Sequence, residues 1–375
     1  MKRFATALLF LGALATVLCA AEQRSTKPLE IYVADVEGGK ADLWVTPSGQ
    51  TLLIDTGSPG GRDSQRILQM MQEAGVKQID YILLTHYHSD HVGGLQELVT
   101  HIPPVKHFYD HGATVEDGVN GHQPEMVPGF QAAYAKIYAK AQHTVLKPGD
   151  RIPIAGLDWR IVSAGGKLIK TPFAGAGKPN AACQGQDRIG DNHDPENGQS
   201  VGSVISYGRF RAIDLGDLTN DKEYDLMCPN NPIGKVDLYF VSNHGLNNAS
   251  TPEFVHGIQP RVAIDQNSLH KGATVQTLET LYSSPGLESI WELHWGAAAG
   301  TEYNSAGIFI ANVEDPANIA KLLTAPPTPP GQHGFHRSPP HTPAYLIKIS
   351  VQPDGSFTIT NSRNGYSKTY AHINR

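Results

Sequence analysis

Cysteine is scarce in this 375-residue chain, with three against 17 histidines. Cys19 falls in the apolar N-terminal run, which leaves Cys183 and Cys228, a pair whose spacing fits no zinc-knuckle pattern. Thiolate metal ligation and thiol catalysis are therefore the weaker readings for them. Basic residues are also short, 30 Lys and Arg against 36 Asp and Glu for a net charge of -6. That balance excludes a general polyanion-binding surface, although it leaves room for a local basic patch. Charged residues make up 18% and hydrophobic ones 40%, which excludes a disordered, collagenous or coiled-coil chain and allows a large core. There is no internal repeat, no linker that separates two domains, and no membrane-length apolar stretch after the N-terminus.

The N-terminus reads as a targeting segment. Lys2 and Arg3 are followed by apolar, Gly and Thr residues over 5–18 and by Cys19, Ala20 and Ala21. About fourteen apolar residues fall short of the roughly 20 that span a bilayer, so a cleaved signal peptide over 1–21 is expected. The product then starts at Glu22 with no membrane anchor, secreted or periplasmic and two charges more negative than the full chain. In an oxidising compartment, Cys183 and Cys228 are expected to form a disulfide.

Residues 22–375 read as one domain of intermixed strands and helices, with a core over about 29–300, a Pro-rich loop at 325–343 and a C-terminal hairpin at 344–361. Strands are expected at 29–36, 40–46, 51–54 and 79–84, and a helix at 64–74 from the spacing of Ile67, Leu68 and Met71. The stretch 103–147 is irregular apart from a helix at 130–142. Further strands fall at 151–154, 158–162, 201–207, 210–215, 236–241 and 261–264, with helices ending at Met227 and covering 251–257 and 274–282. The polar stretch 175–199 reads as a long surface loop.

The most informative residues are His86-Tyr87-His88-Ser89-Asp90-His91, which follow an apolar strand and precede Gly93-Gly94. Alternate side chains of an extended segment share a face, so His86 and His88 can converge on one ion while Asp90 and His91 address a neighbouring one. Three imidazoles and a carboxylate suit Zn²⁺ and, less strictly, Mn²⁺ or Fe²⁺.

This string resembles the signature of the metallo-β-lactamase superfamily. Leu52-Leu53-Ile54-Asp55-Thr56-Gly57 is similar to the superfamily's first motif, Gly216-Asp217 to the turn that supplies a metal-bridging carboxylate, and Ser242-Asn243-His244-Gly245 to the late histidine motif. The opening, Asp35 to Asp42, is similar to metallo-β-lactamase domains of the bacterial competence-channel type, which handle incoming DNA. The resemblance implies an α/β fold, a four-layer αββα sandwich with ligands on loops at one edge. It implies one or two zinc ions, Mn²⁺ or Fe²⁺ being alternatives, held by His86, His88, Asp90, His91, Asp217 and His244. Asp90 is then a catalytic residue as well as a ligand, and Asp55 orients ligand histidines from behind. The loop histidine usual in the superfamily is missing, and Asp194 to Ser200 carries instead the Asn…Ser version, with Asn197 in a supporting place. His193 lies a few residues before it; it is an alternative ligand if it reaches in, and the bland reading is an exposed loop histidine.

Lys271 is a candidate for holding an anionic substrate group, and His294, between Trp291 and Trp295, for a late site residue; the bland alternatives are a solvated lysine and a packed histidine. His333, His336 and His341 in the Pro-rich segment read as surface residues, with a weak accessory metal site there as the lesser alternative. The function these residues imply is an exported metal-dependent hydrolase using an activated water on a small-molecule or phosphodiester substrate. Nucleic acid is allowed by the resemblance but unsupported by the charge. An acyl hydrolase, of lactonase or β-lactamase type, and a non-catalytic metal- or ligand-binding scaffold are the alternatives. No protein partner is evident.

Overall fold

The computed structural model describes residues 27–190, 194–313 and 341–373. The expected leader at 1–21, His193, His333, His336 and most of the Pro-rich segment lie outside the described residues. Among the described residues no helix is long and apolar enough to cross a membrane.

Two mixed sheets dominate. The first runs, edge to edge, through Ser367–Tyr370, Phe357–Asn361, Ile347–Val351, Leu29–Val33, Asp42–Val45, Thr51–Ile54, Tyr81–Leu83, His107–Asp110 and Gln142–Val145. The second runs through Ile310–Asn312, Ser289–His294, Val262–Asp265, Leu238–Phe240, Phe210–Asp214, Gly202–Tyr207, Asp158–Ala164 and Arg151–Ile152, with Lys167–Leu168 paired beside it. Each sheet has an antiparallel part and a parallel part, and the parallel strands end toward the same group of loops.

The strands are apolar on both faces because both faces are covered. Ile31, Trp44, Leu52 and Ile54 of the first sheet share one buried cluster with Trp159, Ile205, Phe240 and Ile264 of the second. Trp44 anchors it, its ring 5.0 Å from Trp159 and 5.9 Å from Phe240. The opposite face of the first sheet packs Leu43, Leu53 and Ile82 against Ile67, Met70 and Met71 of helix Arg62–Glu73 and against Tyr134 of helix Val127–Tyr138. The opposite face of the second packs Val204, Ile213 and Ala263 against helices Asn220–Met227, Pro252–Ile258 and Val275–Tyr282.

Three segments differ from the sequence reading. The expected helix at 130–142 starts earlier and stops at Tyr138, because Gln142–Val145 joins His107–Asp110 in parallel as the edge strand of the sheet. The C-terminal hairpin continues into a third strand, Ser367–Tyr370, whose Tyr370 hydroxyl accepts from the Trp291 indole. Ser289–His294, not assigned from the sequence, is a buried strand next to Val262–Asp265.

Cys183 and Cys228 are joined as a disulfide across 45 residues. Loop-closure entropy for a span of that size amounts to about 4 kcal/mol. Replacing both cysteines by serine should therefore lower the stability measured by urea unfolding by a few kcal/mol while leaving metal content unchanged. Equal unfolding midpoints for the two proteins would refute this.

Candidate metal centre

The chemistry-bearing side chains sit where parallel strands end. Asp55 follows Thr51–Ile54, and the His86 to His91 string follows its neighbour Tyr81–Leu83. On the other sheet Asp217 follows Phe210–Asp214, and His244 follows the neighbouring Leu238–Phe240. His88 is on extended backbone, whereas Asp90 and His91 lie in the short helix Ser89–Val92 that it leads into. Two glycines permit the close approach. A Cβ on Gly39 would meet the Asp90 carbonyl oxygen at 2.3 Å, and one on Gly272 would meet that of His244 at 1.6 Å. Asn243 and His244 have φ of 50° and 55°, a left-handed turn that only a packed surrounding sustains in non-glycine residues.

Four ligand atoms converge. His91 Nε2 lies 3.1 Å from His244 Nε2, 3.3 Å from Asp217 Oδ2 and 3.5 Å from Asp90 Oδ2. His244 Nε2 lies 3.1 Å from Asp217 Oδ2 and 3.3 Å from Asp90 Oδ2. Bonds of about 2.0 Å to a tetrahedral cation separate the ligand atoms by about 3.3 Å. Five of the six edges match that figure, so these residues fit a divalent ion, and a two-nitrogen, two-oxygen set accepts zinc, manganese or iron. Beside them His86 Nε2 and His88 Nδ1 face each other at 3.1 Å, a second and smaller donor pair.

The far side of each ring is also held. Asp55, fully buried, accepts from His91 Nδ1 at 2.7 Å, from the Thr85 amide at 2.7 Å and from the Thr85 hydroxyl at 2.6 Å. This fixes the His91 tautomer with Nε2 turned to the cluster. Thr85 Oγ1 is 3.1 Å from His86 Nδ1, and Glu116 and Asp194 stand 3.5 and 3.7 Å from His88 Nε2. Buried Glu196 accepts the Tyr87 amide and pairs with His111 at 2.9 Å, which steadies the backbone between the two histidines. Glu116, Asp194 and Glu196 were not singled out from the sequence, since nothing in their local pattern separates them from ordinary loop acids.

The charges are strongly coupled. Burial opposes a charge on His91, yet Asp217, Asp90 and Asp55 outweigh it and push the ring up to about 10. Burial and the neighbouring His91 and His88 hold His86 well below the usual histidine value, so it presents a lone pair. Burial would raise Asp217 and Asp90, but His244 and His91 hold the first well below the carboxylate range, and Lys271 and His91 the second.

The remaining expected residues divide. Lys271 is not solvated: its ammonium donates to Asp90 Oδ2 and, at 2.8 Å, to the Gly38 carbonyl. Asn197 is buried, with Oδ1 in no hydrogen bond, and its amide donates to Asp194. His294 stands outside the four-ligand group, because its strand directs it to Asp35, 2.6 Å away. His341, expected at the surface, reaches the same Asp35 and Glu37 at 3.0 Å.

Two predictions follow from the supports. Asp55→Asn should keep the fold yet weaken metal binding by about 10–100-fold in calorimetric titration; unchanged affinity would exclude its orienting role. Glu223 accepts the Thr251 amide beneath the His244 loop, and burial raises its carboxyl from the usual 4.5 to about 8. The folded state therefore keeps a proton that the unfolded chain has released, and this stabilisation declines as pH rises from 4.5 toward 8. In chelator, the melting temperature of Glu223→Gln should fall less over that range than that of the unaltered protein. Parallel profiles would show that Glu223 does not titrate in this way.

Residues 42–165 match the family model described as the Metallo-beta-lactamase superfamily. The chain is 30% identical over 122 residues to a hydroxyacylglutathione hydrolase of Erwinia tasmaniensis, covering 32% of this chain and 37% of that protein. It is 26% identical over 252 residues to ComE operon protein 3 of Bacillus subtilis, covering 63% of this chain and 28% of that one. It thus spans well under half the length of either. Among solved structures, a diiron β-hydroxylase from Streptomyces venezuelae superposes with a TM-score of 0.39 at 14% identity, covering 70% of this chain and 52% of the other. The segment 42–165, which matches the metallo-β-lactamase superfamily model, carries Asp55, His86, His88, Asp90 and His91.

Proposed function

We propose that this protein is a metal-dependent hydrolase whose centre is built by Asp90, His91, Asp217 and His244, with His86 and His88 beside them. The observation that carries the proposal is the set of 3.1–3.5 Å separations among four buried ligand atoms from both sheets. A divalent ion there, zinc first by its preference for four donors, supplies Lewis acidity toward water and the substrate oxygen. The chain contributes the rest. Asp90 has the most exposed side chain of the four, at 12%, so its carboxylate can take the proton of an attacking water. The Asp55–His91 and Thr85–His86 contacts hold the donors in place before any substrate arrives.

Lys271 bears on the substrate. Its ammonium lies beside Asp90 with the side chain 23% exposed, placed to meet an anionic oxygen at the rim of the site. That charge and the competence-type opening, Asp35 to Asp42, support a phosphodiester as the first substrate class. The similarity to hydroxyacylglutathione hydrolase supports an acyl ester or thioester as the second. We also propose that the protein is exported, a reading supported by the N-terminal sequence and by the Cys183–Cys228 disulfide, which suits an oxidising compartment.

Turnover of bis(p-nitrophenyl) phosphate, single-stranded DNA, a lactone, a thioester and nitrocefin, with and without chelator, divides these classes. Chelator-sensitive cleavage of the phosphodiester is expected, and Asp217→Ala with His244→Ala should abolish it. Lys271→Ala should mainly raise the Michaelis constant. Inactivity on every substrate with metal bound would turn the reading into a non-catalytic scaffold. Export is checked by N-terminal sequencing of the protein from the culture fluid or periplasm, where a start at Glu22 is expected and an intact Met1 would refute it.

A further inference from the structure

Beyond the centre described above, a second group of histidines and carboxylates is assembled that shares no ligand with it. Asp35 and Glu37 come from the turn after strand Leu29–Val33, His294 from the end of Ser289–His294, and His341 from the chain as it returns toward Ile347–Val351. One ligand atom from each lies within 4.8 Å of all the others. We propose that these four residues form a separate site for one divalent transition-metal ion of the zinc class, which fastens the returning chain at His341 to the turn that leads into Gly38 and Gly39.

The separations support a common cation. His294 Nε2 is 2.6 Å from Asp35 Oδ1 and 3.8 Å from Glu37 Oε2, and His341 Nε2 is 3.0 Å from both Asp35 Oδ2 and Glu37 Oε1. Each carboxylate thus turns one oxygen to each imidazole, and an ion with two nitrogen and two oxygen ligands would take one oxygen of each pair together with both nitrogens, one ligand atom from each residue lying within 4.8 Å of the others. Two further observations point inward. Glu37 Oε2 is in no hydrogen bond although its side chain is only 3% exposed. His341 Nε2, for all its closeness to two carboxylate oxygens, is aligned as a hydrogen bond with neither. A buried carboxylate oxygen left unpaired costs free energy, and a cation at the shared centre removes that cost.

Arg66 fits as a supporting group. Its Nη1 donates to Asp35 Oδ2 at 2.9 Å and lies 3.2 Å from Glu37 Oε1, and its Nη2 donates to the His341 carbonyl at 2.9 Å. It offsets part of the carboxylate charge, orients both groups from behind and leaves Glu37 Oε2 turned to His294. The Glu37 amide donates to Asp35 Oδ1 at 3.0 Å and tightens the turn. The donor set is carboxylate and imidazole without thiolate, which selects zinc, manganese or iron over soft copper(I). The next residues place the site in contact with function: Gly38 accepts from Lys271, and Gly39 lies against the Asp90 backbone.

The experiment uses the full chain. Zinc is titrated by calorimetry, and cobalt by its visible absorption, into the unaltered protein, His341→Ala, His294→Ala and Glu37→Gln. The same titration is made in an Asp217→Ala/His244→Ala background, where the first centre is disabled. One equivalent should remain in that background and disappear when His341→Ala is added. In the otherwise unaltered protein His341→Ala and His294→Ala should each lose one equivalent, and Glu37→Gln should bind it at least about tenfold more weakly. Addition of zinc should raise the melting temperature of the Asp217→Ala/His244→Ala protein, and this shift should vanish with His341→Ala. Unchanged equivalents and affinities in all three single variants would overturn the site and mark the cluster as an ion-pair network closed by Arg66. Circular dichroism in chelator separates a folding defect from lost binding, and Glu37→Gln, which preserves shape, gives a second measure. The result is independent of the hydrolase reading, whose failure would appear in the substrate panel and in the activity of the Asp217→Ala/His244→Ala protein, not in these titrations.

Discussion

Everything at the proposed centre is referred to one carboxylate. Asp55 is fully buried, has a left-handed backbone with φ of 57°, and receives three hydrogens, two from Thr85 and one from His91. The Thr85 contacts lock the end of Tyr81–Leu83 to the end of Thr51–Ile54, so the string that follows leaves the sheet in one direction only. The His91 contact sets which nitrogen faces the cluster. An Asp placed there without those donors would carry an uncompensated charge in a water-free site, at a cost of several kcal/mol. Fold and site therefore stabilise each other through a single side chain. Removing the carboxylate releases the strand end and the histidine together.

A second buried charge does for the two sheets what Asp55 does within one. Lys40 Nζ lies 2.8 Å from Asp42 on the first sheet and 3.0 Å from Asp214 on the second, and donates to Gln266. Burial alone would strip the proton from this amine, but the two carboxylates hold it well above its usual range. Buried ion pairs of this type contribute little net stability compared with an apolar packing, and their value lies in register. Here the register matters, because Asp217 begins three residues after Asp214 and must meet His91 from the other sheet at 3.3 Å. Trp44 and its aromatic neighbours contribute to the apolar packing between the sheets, whereas Lys40 ties Asp42 of one sheet to Asp214 of the other.

Much of this was legible because the informative contacts are local. His86, His88, Asp90 and His91 announce themselves by spacing, Asp55 and Asp217 by the Gly-containing turns beside them, and His244 by the turn before Gly245. The groups that were not legible act across the chain: Glu116, Asp194 and Glu196 approach His88 and Tyr87 from loops with no pattern of their own. His294 and His341 illustrate the limit most clearly. The sequence offers one as a late site residue or a packed histidine and the other as a surface residue, and their meeting over Asp35 and Glu37 depends on the third dimension alone. The fold shows the same division. Central apolar strands were recognisable, whereas His107–Asp110 and the two edge strands Gln142–Val145 and Ser367–Tyr370 were not, because these strands are short or partly solvated and lack a continuous apolar run.

The loop histidine that the superfamily resemblance leads one to expect is absent, and the geometry gives that absence a consequence. Among the described residues, four side-chain donors surround one position, while His86 and His88 turn two nitrogens toward the other. Each donor already held in place spares ordering entropy, so the four-donor position has the larger intrinsic affinity. On the proposed reading, the Asp90, His91, Asp217 and His244 group is the position expected to fill first. Glu116 and Asp194 do not change this order, since they approach His88 at Nε2, on the side away from the nitrogen that faces His86. What they do is hold that ring's orientation and raise its basicity, which compensates in ligand quality for what the pair lacks in number.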